Sequence, residues 1–101
     1  MIFPARRLRP AVCLTEETGI YQHITIAFIS SQTEKNPTEA DILIEESEQD
    51  FASTGLAINS VIKLHKMVTV PKSIIKRKLG ELSPAQQQEV KRKLREIFAL
   101  D

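Results

Sequence analysis

Two short stretches of this 101-residue chain carry residue types that can do chemistry together: Arg9-Pro10 ahead of the apolar run Ala11-Val12-Cys13-Leu14, and Ser30-Ser31-Gln32 at the end of the apolar run Ile24 to Ile29. Proline fixes its own φ, lacks an amide donor and pushes the residue before it into extended backbone. Arg9 therefore enters its strand from a surface-facing lead-in and presents a cation at the strand mouth. Where the second strand emerges, Ser30 and Ser31 offer hydroxyls and Gln32 an amide. Whether the two strand ends form one site depends on how the strands pair.

The charge pattern names a class of partner. Net charge is only +1, yet residues 31 to 54 carry Glu34, Glu39, Asp41, Glu45, Glu46, Glu48 and Asp50 against Lys35 alone. Residues 60 to 80 carry Lys63, Lys66, Lys72, Lys76, Arg77 and Lys78 with no acid. A basic segment joined to Arg6, Arg7 and Arg9 can hold a polyanion through phosphate contacts and counterion release. The solvated faces of ordinary strands produce the same segregation.

The elements that must position these residues read mainly as strands. Residues 9 to 14 form one, Thr15 to Gly19 a polar turn, and residues 20 to 29 the clearest strand, with Ile20, Gln22, Ile24, Ile26 and Phe28 on one face and Tyr21, His23, Thr25, Ala27 and Ile29 on the other. These two strands predict a hairpin. Residues 31 to 39 are a loop around Asn36-Pro37, and 41 to 45 a short strand. Residues 46 to 54 are an acidic connection whose Phe51 turns into the core, and Gly55 to Asn59 lead into a long strand, Ser60 to Val70. There Ile62, Leu64, Val68 and Val70 share a face with Lys66, while Lys63 and His65 point to the wet side. A short strand around Gly80 follows. Ser83-Pro84-Ala85-Gln86 then supplies an N-cap, a proline at the first helical position and a capping-box glutamine. Val90, Leu94, Ile97 and Phe98 recur at helical spacing as the sheet-facing stripe. Five short strands and a terminal helix predict a mainly β fold, a small, partly open barrel of SH3-like type.

Length and composition bound the rest. The chain is one domain, residues 1–101, able to bury roughly 60 to 70% of its unfolded surface. Its single cysteine, Cys13, makes no internal disulfide, and no apolar run approaches the ~18 to 20 residues of a membrane span. A cytoplasmic protein without membrane contact is the expectation. His23 has no second ligand at metal spacing, so neither a metal nor another cofactor is expected.

Five fragments in register carry a resemblance: Arg9-Pro10-Ala11-Val12-Cys13-Leu14, Ile29-Ser30-Ser31-Gln32, Thr54-Gly55-Leu56, Ser60-Val61-Ile62-Lys63-Leu64 and Leu79-Gly80-Glu81-Leu82-Ser83. In order and spacing, over residues 9 to 100, they are similar to the PemK/MazF toxins of toxin–antitoxin modules. That resemblance implies a homodimeric barrel that cleaves single-stranded messenger RNA at short sequences without a metal and is inhibited by a peptide segment of a cognate antitoxin. It implies Arg9 and Ser30 as the catalytic pair, with serine where the family has threonine, and Ser31, Gln32, Lys63, His65 and Lys66 as RNA contacts. His65 stands where the family usually has an acidic or amide residue, and Lys66 where it has glutamine. The resemblance also implies that the first strand is missing or shortened, because only Phe3-Pro4 resembles the family's Gly-Asp and Phe-Pro-Phe opening. Either the working protein is longer, or the toxin is degenerate.

Attack by a ribose 2′-hydroxyl on the adjacent phosphate builds negative charge on the equatorial oxygens, which a guanidinium fork and a hydroxyl stabilise by about 2 to 4 kcal/mol each if preorganised. Arginine is a poor proton acceptor, so the base is Arg9, as the family has it, or His65. The alternative from another class is a non-catalytic module, either a decayed toxin that still binds its antitoxin or a CcdB-like binder of gyrase.

Overall fold

Alternating branched residues make residues 23–30 the centre of the fold, because both faces of that strand are apolar and both find cover. The computed structural model describes residues 2–5, 9–15, 19–20, 22–31, 38–75 and 77–100, the side chains of residues 3–5 excepted. Five strands, β1 (Ile2–Ala5), β2 (Arg9–Cys13), β3 (His23–Ser30), β4 (Asp41–Ile44) and β5 (Ser60–Pro71), precede one helix, α1 (Pro84–Ile97). They form one antiparallel sheet in the order β1-β2-β3-β5-β4, a barrel that stays open between β1 and β4. No helix among the described residues is long and apolar enough to cross a membrane.

The hairpin of β2 and β3 forms, with Ala11 opposite Phe28 and Cys13 opposite Ile26. Its second strand begins later than the apolar pattern indicates: Gly19 and Gln22 take positive φ, the Gln22 amide donates to the Gly19 carbonyl at 3.1 Å, and Ile20 is left exposed. A turn that needs left-handed backbone overrides the alternation there.

The front of the chain is the largest difference. The sequence pattern ahead of Arg9 contains no strand, yet β1 is present in shortened form and pairs with β2 from Ile2↔Val12 to Ala5↔Arg9. Pro4 hides it, since a proline within a run argues against a strand, but β1 lies at the sheet edge, where a missing donor is tolerated. The facing Pro10 lies beyond the β2–β3 register, which begins at Ala11, so its own missing donor breaks nothing there. Ile2 is fully buried, and its backbone meets the 79–80 segment: the Ile2 amide donates to the Gly80 carbonyl at 3.0 Å, and the Leu79 amide donates to Ile2 at 2.8 Å. That single bridge replaces the strand expected around Gly80.

A bulge splits β5. Its partners on β3 step from Ala27↔Met67 to Phe28↔Lys63, leaving three residues of β5 without a counterpart. Three is odd, so the faces exchange across the bulge. Ile62 and Leu64 enter the main cluster with Ile2, Val12, Ile29 and Ile44, whereas Val70 joins Ala11, Ile24 and Ile26 on the other side, with Val68 packed against them. The single face drawn through residues 62 to 70 is therefore wrong.

The helix begins as its sequence dictates. Ser83 Oγ accepts the Gln86 amide at 3.1 Å, Gln86 Oε1 accepts the Ser83 amide at 2.8 Å, and Ser83 Oγ also donates to Asp50. Ser83→Ala removes all but the backbone part of this arrangement, so it is expected to cost about 1 to 2 kcal/mol in a urea titration; an unchanged midpoint contradicts the capping argument. Val90 is buried and Leu94 packs against the main cluster. Ile97 and Phe98 depart from the predicted stripe: they are 36% and 57% exposed, because the last turn runs clear of the core.

Candidate functional site

Strand pairing settles where the chemical residues go. With Ala11 opposite Phe28, alternation places Arg9 and Ser30, two residues further along β2 and β3, on one face at adjoining strand ends. Both line a groove of about 510 Å³. Its lining combines the donors Arg9, Ser30, Ser31, Lys63 and Lys66 with the apolar Pro10, Phe28, Leu56, Ala57 and Ile58. Arg9 is exposed and Ser30 half-buried, so the cation reaches solvent while the hydroxyl is set into the wall. Gln32 lies outside the described residues.

The apolar part of the lining is held by two loops that pass at backbone contact. Thr54 is fully buried; its Oγ1 donates to the Phe51 carbonyl at 2.6 Å and accepts the Leu56 amide at 3.2 Å. Gly55 follows with φ +75°, and a Cβ there would stand 2.1 Å from the Leu79 carbonyl oxygen. The Glu81 amide donates to the Ser53 carbonyl at 2.9 Å. Two of the sequence fragments, 54–56 and 79–83, thus meet in one contact that fixes where residues 56–58 stand.

Lys63 is not on a wet face. It is 2% exposed and its Nζ donates to Asp41 Oδ2 at 3.4 Å. The reason is lateral: Phe28, Lys63 and Asp41 are register partners across β3, β5 and β4, so β4 covers the lysine and supplies its counter-charge. Asp41, 7% exposed, also accepts the Thr38 amide at 2.9 Å through Oδ2. Burial by itself raises its carboxyl, but the Thr38 amide and the Lys63 ammonium outweigh that, with a further contribution from His65, and hold it below the usual carboxylate value. Sequence reasoning missed Asp41 as part of this site. Its only signal was an acid at the start of a strand, and the cross-strand pairing that gives it meaning is absent from any local pattern.

His65 stands apart. Its side chain is 43% exposed, its Nδ1 lies 3.9 Å from Asp41 Oδ1, and it is not among the residues that line the groove. Lys66, exposed at the bulge, does line it. Cys13 is half-buried and donates weakly to the Thr15 carbonyl. Among the described residues, no three His, Cys, Asp or Glu side chains come together in a way that can hold a metal ion. The arrangement can therefore grip an anion with guanidinium, ammonium and hydroxyl donors beside an apolar surface.

The sequence matches the family described as the PemK-like, MazF-like toxin of type II toxin–antitoxin systems over residues 5–98. Comparison with curated proteins finds no match. Among solved structures, the fold is similar to the Mycobacterium tuberculosis toxin MazF-mt6, with a TM-score of 0.76 at 22% identity, covering 99% of this chain and 97% of that one. It is also similar to an Mtb toxin, with a TM-score of 0.71 at 18% identity and full coverage of both chains. A third is an endoribonuclease from Mycobacterial species, with a TM-score of 0.71 at 11% identity, covering 98% of this chain and 88% of that one.

Proposed function

The chain belongs to the PemK-like, MazF-like toxins of type II toxin–antitoxin systems, and on that premise we propose that it is an endoribonuclease that cuts single-stranded messenger RNA at a short sequence without a metal. What supports this reading above all is that Arg9 and Ser30 line one groove. The 2′-hydroxyl oxygen attacks the adjacent phosphorus, the bond to the 5′-oxygen breaks, and a cyclic phosphate and a 5′-hydroxyl result. The Arg9 fork and the Ser30 hydroxyl stabilise the charge that gathers on the equatorial oxygens. A proton acceptor must come within hydrogen-bond reach of the attacking hydroxyl. His65 does not line the groove, so in this reading the role falls to Arg9, a strong anion clamp and a reluctant base.

In this proposal Ser31, Lys63 and Lys66 contact the RNA from the groove lining, and RNA contacts are assigned also to His65, from outside that lining, and to Gln32. Lys66 replaces an amide with a point charge, which adds phosphate affinity more than base readout. The protein partners are a short amphipathic segment of the cognate antitoxin and a second copy of the chain, and the compartment is the cytoplasm.

The purified chain is expected to cut a mixed-sequence RNA in the presence of EDTA, with Ser30→Ala slowing the reaction on the order of a hundredfold and Ser30→Thr retaining it, since threonine restores the hydroxyl on a stiffer rotamer. Binding of an antitoxin segment with no cutting under any condition would instead identify a non-catalytic module.

A further inference from the structure

The Asp41–Lys63 pair sets two opposite charges into an otherwise apolar row of the sheet. Both side chains are almost fully buried, and their neighbours along the same lateral row, Phe28 and Ala11, are apolar. Desolvating two charges is costly, and replacing such a pair with apolar side chains of similar volume is often neutral or stabilising. A buried pair of this kind is therefore weak evidence of a purely stabilising role.

Position points to another role. Lys63 lines the groove that Arg9 and Ser30 line. The row Ala11–Phe28–Lys63–Asp41 crosses β2, β3, β5 and β4, and the row that holds Arg9 and Ser30 is the next one on the same face. At about 3.4 Å per residue the two rows are roughly 7 Å apart, a spacing comparable to one step between neighbouring phosphates of an extended strand. Asp41 is itself anchored by the Thr38 amide, so the ammonium is held in a fixed direction.

We infer that the Asp41–Lys63 pair is an anion-exchange site in the groove: Asp41 compensates the Lys63 ammonium in the free protein, and a backbone phosphate next to the one facing Arg9 and Ser30 shares that ammonium when RNA binds. The inference rests on the endoribonuclease reading. A contact of this kind sets the register of the strand and carries no sequence information. The ammonium is already stripped of most of its water, so the phosphate meets a cation that needs little reorganisation.

The double variant Asp41→Leu/Lys63→Met removes one charge of each sign and leaves the net charge unchanged, so a general electrostatic effect cancels. Its binding to a single-stranded 2′-O-methyl oligoribonucleotide, which cannot be cut, is measured between about 50 and 200 mM salt. The expected result is a protein that still folds, its melting temperature lowered by no more than the lost Thr38–Asp41 hydrogen bond accounts for, with the slope of log affinity against log salt shallower by about 0.7, one phosphate contact fewer. An unchanged slope overturns the inference while leaving the endoribonuclease reading intact; a parent protein that binds no oligonucleotide overturns both. If the apolar pair does not fold, Asp41→Asn/Lys63→Gln keeps shape and net charge and decides the matter by the same slope.

Discussion

Arg9→Ala is expected to lower the rate of RNA cleavage by about 10²- to 10³-fold, the loss seen when one preorganised donor to a developing oxyanion is removed. The fold should not register the change. Arg9 is exposed and contributes to neither apolar cluster, and surface substitutions of this kind stay within about 0.5 kcal/mol. Arg9→Lys should restore little, because an ammonium cannot offer the paired N–H geometry that a phosphate accepts. Single-turnover cleavage of a short RNA beside a thermal melt separates the two effects. Wild-type cutting by Arg9→Ala would remove Arg9 from the reaction and with it the proposed mechanism.

Gly55→Ala and Gly80→Ala are expected to have the largest effects on stability. At Gly55 the new Cβ meets the Leu79 carbonyl oxygen at 2.1 Å and its carbon at 2.6 Å, and φ +75° adds left-handed strain of about 1 to 2 kcal/mol. At Gly80 a Cβ falls 2.3 Å from the Ser53 carbonyl oxygen and 2.5 Å from Thr54 backbone atoms. Backbone cannot rotate away as a side chain can. Relief requires the two loops to part, which strains the Glu81–Ser53 hydrogen bond and the Ile2–Gly80 bridge together. Each substitution should cost on the order of 3 kcal/mol, or about 15 °C in melting temperature for a domain of this size. The double variant should cost less than the two single costs added together, since both break one contact. A melt within a degree or two of the parent for either glycine would contradict the close approach.

Local signals were legible and lateral ones were not. The start of α1 was readable because a capping box is written in four consecutive residues. Arg9 and Ser30 could be put forward together because each sits beside its own marker, a proline at one strand mouth and a run of polar residues at the other. The faces of β5 were not readable, because the bulge that exchanges them depends on how the strand pairs with Ala27 and Phe28 rather than on its own pattern. Asp41 and Lys63 lie 22 residues apart and meet only because β4 flanks β5 in a particular register. β1 was hidden by Pro4, whose disqualifying property ceases to matter at an edge. Ile97 and Phe98 keep helical spacing beyond the point where the core ends, and spacing alone carries no information about what lies opposite.

The joining of Ile2 to Gly80 has a consequence for the order in which the protein can be completed. β1 is made well before the segment that completes it: the backbone groups that pair with Ile2, and the glycine contact that fixes residues 56–58 beside the groove, belong to a segment synthesised almost eighty residues later. Contacts of such long sequence separation form late. A chain whose 79–80 segment is not yet in place therefore lacks both the bridge to Ile2 and the contact that fixes residues 56–58, so the groove is completed only after that segment has been made.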